Sequence, residues 1–246
     1  MGATFQGRSE DPMYYGLGFF YMDWTILLLI PGLILGLIAQ SMVNSRFRRY
    51  SQVRTRGGLT GAQVAAGILA EAGLPDVEIE VVGGRLSDHY DPRTRKLRLS
   101  ADVAHSSSVA ALGVAAHEVG HAIQHGGGYL PLHLRNAAVP ATRIGSWLYL
   151  PLFIAGLIFA VEPLVWVGIG CFTLILLFQL ITLPVEFNAS SRAMAILRDG
   201  NYLEPEELVG ARKILSAAAL TYVAALVSSI LILLRLLLIA GAFNRR

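Results

Sequence analysis

The sequence predicts a mainly α-helical membrane protein in which about four transmembrane helices accompany a small α+β domain on the cytoplasmic side. Three observations predict it. Of 246 residues, 54% are hydrophobic and only 15% charged, with a mean hydropathy of +0.55, where soluble domains carry about a quarter charged residues. Four apolar runs, Trp24–Val43, Ile144–Val161, Leu164–Val185 and Ile214–Leu234, are each long enough to cross roughly 30 Å of hydrocarbon. Between the first two lies Asn44–Arg143, a stretch of ordinary mixed composition the size of a small domain, which contains the string His117-Glu118-Val119-Gly120-His121. The 20 Lys+Arg against 17 Asp+Glu leave a net charge of +3, too small and too scattered to suggest a nucleic-acid partner. Cys171, the single cysteine, sits in an apolar run and excludes both an internal disulfide and a cysteine-based zinc site, so any metal must use His and carboxylates.

The elements follow in order. Residues 1–23 form an N-terminal segment, and 24–43 the first transmembrane helix. No basic stretch precedes Trp24 and no small-residue cleavage site follows the run, so it is an anchor rather than a signal peptide. Arg46, Arg48, Arg49, Arg54 and Arg56 come just after it with no acid among them, whereas Arg8 is outweighed by Glu10, Asp11 and Asp23. Because Lys and Arg resist translocation, the amino terminus is expected outside and residues 44–143 inside. Transmembrane helices 144–161 and 164–185 are separated only by Glu162-Pro163 and form a tight hairpin whose outer ends return to one side. Residues 186–213 then make a cytoplasmic helical segment, which leaves sixteen of the twenty basic residues on the cytoplasmic face. The fourth helix, 214–243, passes through Arg235, which either snorkels or marks a bend near a buried partner. Arg245 and Arg246 would then lie outside, against the charge rule.

Within the inner segment, Thr60 and Gln63 make a capping box for an amphipathic helix through Ala72, stopped by Gly73-Leu74-Pro75. Val77–Val82 alternates acidic and apolar residues. Tyr90-Asp91-Pro92-Arg93-Thr94-Arg95 is a turn leading to the strand Lys96–Ser100, which together predict a small, mostly antiparallel sheet. Ser106–Ser108 offer N-caps to a helix over Val109–His125, ended by the glycines at 126, 127 and 128.

That last helix carries the chemistry. Residues four apart lie one turn above each other on one face, so His117 and His121 can converge on a single ion. Zinc suits them: it accepts neutral imidazole at about 2.0–2.1 Å and lowers the pKa of a bound water to about 7. Glu118 is then placed to take the proton from that water and hand it to the leaving amine. The helix is otherwise nearly all apolar, from Val109 to Ala116, and burying His-Glu-His there without a metal would strand several polar groups at a cost of kcal/mol each. A catalytic zinc needs a third protein ligand. His125 continues the i+4 series but lies about 12 Å of helical rise beyond His117. His105 and His133 could fold back yet have no motif to recommend them, and His89 could contact substrate. Glu186 is better placed, because Pro184-Val185-Glu186 opens a new helix where the third membrane run ends.

HEVGHAIQH, preceded by YDPRTRKLRLS and followed after a transmembrane pair by LPVEFNASSRA, resembles the bacterial YugP-type neutral zinc metallopeptidases over Trp24 to about Phe243. It is more distantly similar to the HtpX and CAAX-prenyl protease style of membrane gluzincin. The resemblance implies a zincin-like domain, one Zn2+ per chain held by His117, His121 and Glu186, and Glu118 as the base. Where the family carries an acid on the later helix, this chain has Asn188 and Ser190, which with Arg192 and Tyr129 are candidates for steadying a ligand or touching substrate. Tyr129, Tyr202 and Arg192 could each polarise the scissile carbonyl. The resemblance also suggests that an extended substrate pairs with an edge strand beside the metal helix, for which Lys96–Ser100 is the candidate.

The expected function is therefore a membrane-bound zinc metalloendopeptidase of the bacterial inner membrane, multi-pass, with its active site facing the cytoplasm. It would cleave membrane or membrane-associated proteins and peptides at the lipid bilayer. The alternative from another class is a non-catalytic, zinc-stabilised membrane scaffold, which would have no need of Glu118. Intramembrane proteolysis is disfavoured by the charged flanks of the HExxH helix and by the loop position of Asp199. Transport is disfavoured by the scarcity of ionisable groups in the spans.

Overall fold

The computed structural model of the protein describes residues 24–243, so the N-terminal segment 1–23 lies outside the described residues. A 3-10 turn over Trp24–Leu28 leads into α1 (Leu29–Tyr50), followed by α2 (Gly61–Glu71), β1 (Glu78–Val82), β2 (His89–Asp91) and β3 (Lys96–Ser100). Next come α3 (Ala101–Ala104), α4 (Val109–Gly126), α5 (Leu130–Ile158), α6 (Glu162–Asp199) and α7 (Pro205–Phe243). Four of these helical stretches, Trp24–Tyr50, α5, α6 and α7, are long and apolar enough to cross a membrane.

The long helices outrun the apolar segments that announce them. The apolar run begins at Ile144, but α5 begins at Leu130 and holds Pro140 and Pro151 within it. Pro184, expected to open a new helix, instead lies inside an unbroken α6 of 38 residues. Proline removes one backbone hydrogen bond, and a helix survives that loss where its neighbours hold it. Val185, Ala189 and Ala193, all fully buried, supply that packing along one face. Helix α7 starts with Pro205 at its first position, where the missing N–H costs nothing. It continues past Arg235 to Phe243, with the Arg235 Nε buried.

The chain divides into two compact units. The described part of one comprises residues 24–33, 139–178 and 227–243 and is purely helical. Phe153, Val165, Ile169, Phe172, Leu236, Ile239 and Ala240 form its buried cluster. Its hairpin turns over Phe159–Val161 with Ala160 in the left-handed region (φ 54°), just before Glu162-Pro163. Small residues let its two arms meet: a methyl on Gly156 would come within 2.6 Å of the Val165 nitrogen, and one on Gly168 within 2.8 Å of the Phe153 nitrogen.

The other unit, Ile34–Ala138 with Gln179–Leu226, is built around α4. Twelve of that helix's 18 residues are buried, which is why its sequence is apolar nearly all round. Around it pack Phe47 of α1, Val64, Ile68 and Leu69 of α2, Leu97 and Leu99 of β3, Leu197 of α6, and Ile214 and Leu215 of α7. Ser108 caps α4 by accepting a hydrogen bond from the Ala111 N–H, and Thr60 with Gln63 forms the expected capping box on α2.

The sheet differs from the expectation of mostly antiparallel strands. Its order is β1-β3-β2, with β1 parallel to β3 over five residue pairs and β2 antiparallel to β3 over three. The loop after Val82 carries the chain to the far side of β3, so only the tight turn after Asp91 makes a hairpin. Lys96–Ser100 is thus the central strand rather than an edge. Its basic residues pair sideways: Lys96 with Glu78 (3.5 Å), Arg98 with Glu80 (3.1 Å) and Asp91 (3.0 Å). Despite some desolvation, hydrogen bonds from the Arg93 N–H, the Thr94 hydroxyl and Arg98 hold the Asp91 carboxyl down at about 2.

Candidate metal centre

Helix α4 sets His117 and His121 one turn apart, with ring centroids 4.8 Å from each other and planes nearly perpendicular. Helix α6 crosses the same turn very closely, because Gly120 has no side chain. A methyl there would lie 2.8 Å from the Ala189 carbonyl oxygen. One turn earlier on α6, Glu186 is 2% exposed and points its Oε2 at both imidazoles, 3.3 Å from His117 Nε2 and 3.6 Å from His121 Nε2.

The other nitrogen of each ring is engaged. His117 Nδ1 lies 3.2 Å from Ser190 Oγ, and His121 Nδ1 lies 3.0 Å from Gln124 Oε1. Gln124 is fully buried and is itself fixed by α6, since its Nε2 donates to the Val185 carbonyl (2.8 Å) and to Asn188 Oδ1 (3.0 Å). Arg192 donates to the same Asn188 oxygen at 2.8 Å. A Gln oxygen accepts from a ring N–H, which puts the proton of His121 on Nδ1 and turns the Nε2 lone pair inward.

These residues fit a zinc ion. Two imidazole nitrogens and one carboxylate oxygen lie mutually within 4.8 Å. Tetrahedral ligands about 2.0 Å from zinc stand about 3.3 Å apart, close to the 3.3 and 3.6 Å found here. Glu186 Oε2 is buried with no hydrogen-bond partner, the kind of orphan that a cation would satisfy.

A cavity of about 150 Å³ opens on these three residues. Glu118 lines it, and Glu118 Oε2 accepts a hydrogen bond from the Tyr90 backbone N–H of β2 at 3.2 Å. Burial pushes the Glu118 carboxyl above the usual carboxylate range, partly offset by the two histidines. Asp88 and His89 also line the cavity. Asp88, raised by burial, ties the start of β2 to the end of β3 by accepting from the Ser100 N–H (2.7 Å) and hydroxyl (3.0 Å). From α5 come Leu132, Arg135 and Asn136, and from α7 comes Tyr222.

Among the candidates, His117, Glu118, His121, Glu186 and His89 meet at this cavity, while Ser190 stands behind His117 and Asn188 holds Gln124, the partner of His121. Tyr129, Arg192 and Tyr202 do not line it; Tyr202 bonds Glu71 at 2.8 Å instead. His125 pairs with the Tyr90 hydroxyl (2.9 Å) and stacks near His133. Three residues escaped the sequence reading. Gln124 follows His121 by three positions, so its place on the ligand face was available from helical spacing. Arg135 and Tyr222 belong to apolar helices with no local motif, and only the tertiary fold brings them in.

A family model described as "Putative neutral zinc metallopeptidase" matches residues 25–241. The chain is also 46% identical over 214 residues to a protein of Bacillus subtilis (strain 168) named "Putative membrane protease YugP", covering 87% of this chain and 95% of that one. No solved structure matches.

Proposed function

The chain belongs to the neutral zinc metallopeptidase family, and we propose that it is a membrane-bound zinc metalloendopeptidase of the gluzincin kind. The observation that carries this reading is the convergence of Glu186 Oε2 on both Nε2 atoms beside the half-buried Glu118, which lines the same cavity. His117, His121 and Glu186 would hold the zinc. When bound, the ion supplies Lewis acidity that polarises the scissile carbonyl and acidifies water.

The chain's own residues do the rest. Glu118, its carboxyl raised by desolvation, accepts a proton from the attacking water and returns it to the leaving nitrogen. The Tyr90 N–H aims its carboxylate. That N–H turns away from β3, which leaves β2 as the sheet edge facing the cavity and so the strand along which an extended peptide would lie. This replaces Lys96–Ser100 in that role. Tyr222 lines the cavity as a donor for the developing oxyanion.

Glu186 directly follows the apolar run Leu164–Val185 on one helix, so the site would lie near the headgroup layer, favouring substrates held at or in the bilayer. The arginines after the first apolar run favour the cytoplasmic face of the inner membrane. Cysteine labelling should then find positions 56, 135 and 199 on one side and position 162 on the other. Positions 56 and 199 on opposite faces would sink the topology.

Activity is tested with purified protein in detergent and an unfolded protein substrate. Hydrolysis is expected, along with its loss to a chelator. Glu118→Gln should keep one zinc per chain and lose about 10²–10⁴-fold in rate. A Glu118→Gln variant as active as the parent would refute the mechanism, and zinc retention without any turnover in the parent would favour a scaffold.

A further inference from the structure

The two oxygens of Glu186 have different surroundings. Oε2 faces the imidazoles, whereas Oε1 accepts a hydrogen bond from Arg135 NH1 at 3.3 Å. Arg135 lies in the second turn of α5, on the face that also brings Leu132 and Asn136 to the cavity. Its side chain is 29% exposed, and its Nε is buried with no hydrogen-bond partner. The partly buried guanidinium meets one carboxylate, the buried Glu186, at 3.3 Å.

A carboxylate can bind a metal through one oxygen or two. With two histidines and a water, a bidentate Glu186 would crowd the ion to five ligands and leave no place for the substrate carbonyl; a monodentate one keeps it at four, with a fifth position open to substrate. We propose that Arg135 is a positioning residue that reserves Glu186 Oε1, so that Glu186 ligates through Oε2 alone and the coordination sphere stays open for catalysis. This rests on the zinc-peptidase reading above. A charge-assisted hydrogen bond to a buried carboxylate is strong enough to bias that choice.

The test replaces zinc by cobalt(II) in the full-length protein in detergent. Its visible absorption is stronger in four-coordinate than in five-coordinate sites. Arg135→Gln is expected to shift the cobalt spectrum toward weaker, higher-coordinate absorption. Its zinc affinity should change by no more than about 10–100-fold. In the zinc-loaded variant kcat should fall about 10–100-fold with KM little changed, because what is lost is transition-state access rather than substrate binding. Arg135→Lys, which restores a cation to the same oxygen, should bring the spectrum back. If Arg135→Gln does not fold, Arg135→Met, which keeps the apolar stem, is read by the same spectral criterion. A folded variant whose cobalt spectrum matches the parent's overturns the proposal even if its activity is low. A parent protein that takes up neither cobalt nor zinc overturns the metal-centre reading itself.

Discussion

The two sides of the metal centre are braced by unequal means. Behind His121 stands Gln124, fully buried and hydrogen-bonded twice to α6 through Val185 and Asn188. Behind His117 stands a single hydroxyl, Ser190, at 3.2 Å. One imidazole is locked by a network that spans two helices, and the other by a contact that can rotate. A hydroxyl both donates and accepts, so Ser190 does not by itself dictate the tautomer of His117, whereas the double tether of Gln124 does dictate that of His121. The rigid side of the site is His121 with Glu186, and His117 completes it.

Gln124→Ala should break the comparison most severely. It strands the His121 Nδ1–H in a dry interior, costing about 1–3 kcal/mol of stability. Zinc affinity should fall about 10–100-fold, measured by competition with a chromophoric chelator. An unchanged affinity would show that the network only packs. Ser190→Ala is expected to weaken zinc by less than about tenfold, at the low end of such losses, with the melting temperature nearly unmoved. If it cost more than Gln124→Ala, the order of the two braces would be reversed. Ser190→Asp sharpens the point by giving His117 a charged acceptor, and zinc should then be held more tightly than in the parent. His125→Ala is the smallest expected effect. That ring pairs with Tyr90 and leans on His133 away from the ligands, so zinc affinity should stay within about twofold, within the scatter for residues outside the coordination network.

What the sequence made legible divides along similar lines. Helix α4 could be read almost residue by residue, because its caps, its apolar body and its two histidines all follow local rules. Glu186, the proposed third ligand, stood out by its place at the end of an apolar run, although Pro184 sits inside a continuous helix rather than opening one. The sheet was harder, since a three-residue strand such as His89–Asp91 has no periodicity to detect and a parallel pairing cannot be seen from turn signals. Arg135 and Tyr222 stand in helices whose composition speaks only of lipid and packing, so their arrival at the cavity is a property of the fold and of no segment.

Gly120 has a further consequence when the HExxH string is viewed as a permitted alphabet. Three of its five letters are set by the work proposed for them: His117, Glu118 and His121. The two positions written x are commonly taken as free, yet in this chain neither is. Val119 is fully buried and admits only a small aliphatic set, while Gly120 faces the Ala189 carbonyl at a distance that leaves no room for a methyl. A saturation library over residues 117–121 should therefore return a nearly invariant pentapeptide, and the tightest spelling at a position that does no chemistry should be at Gly120.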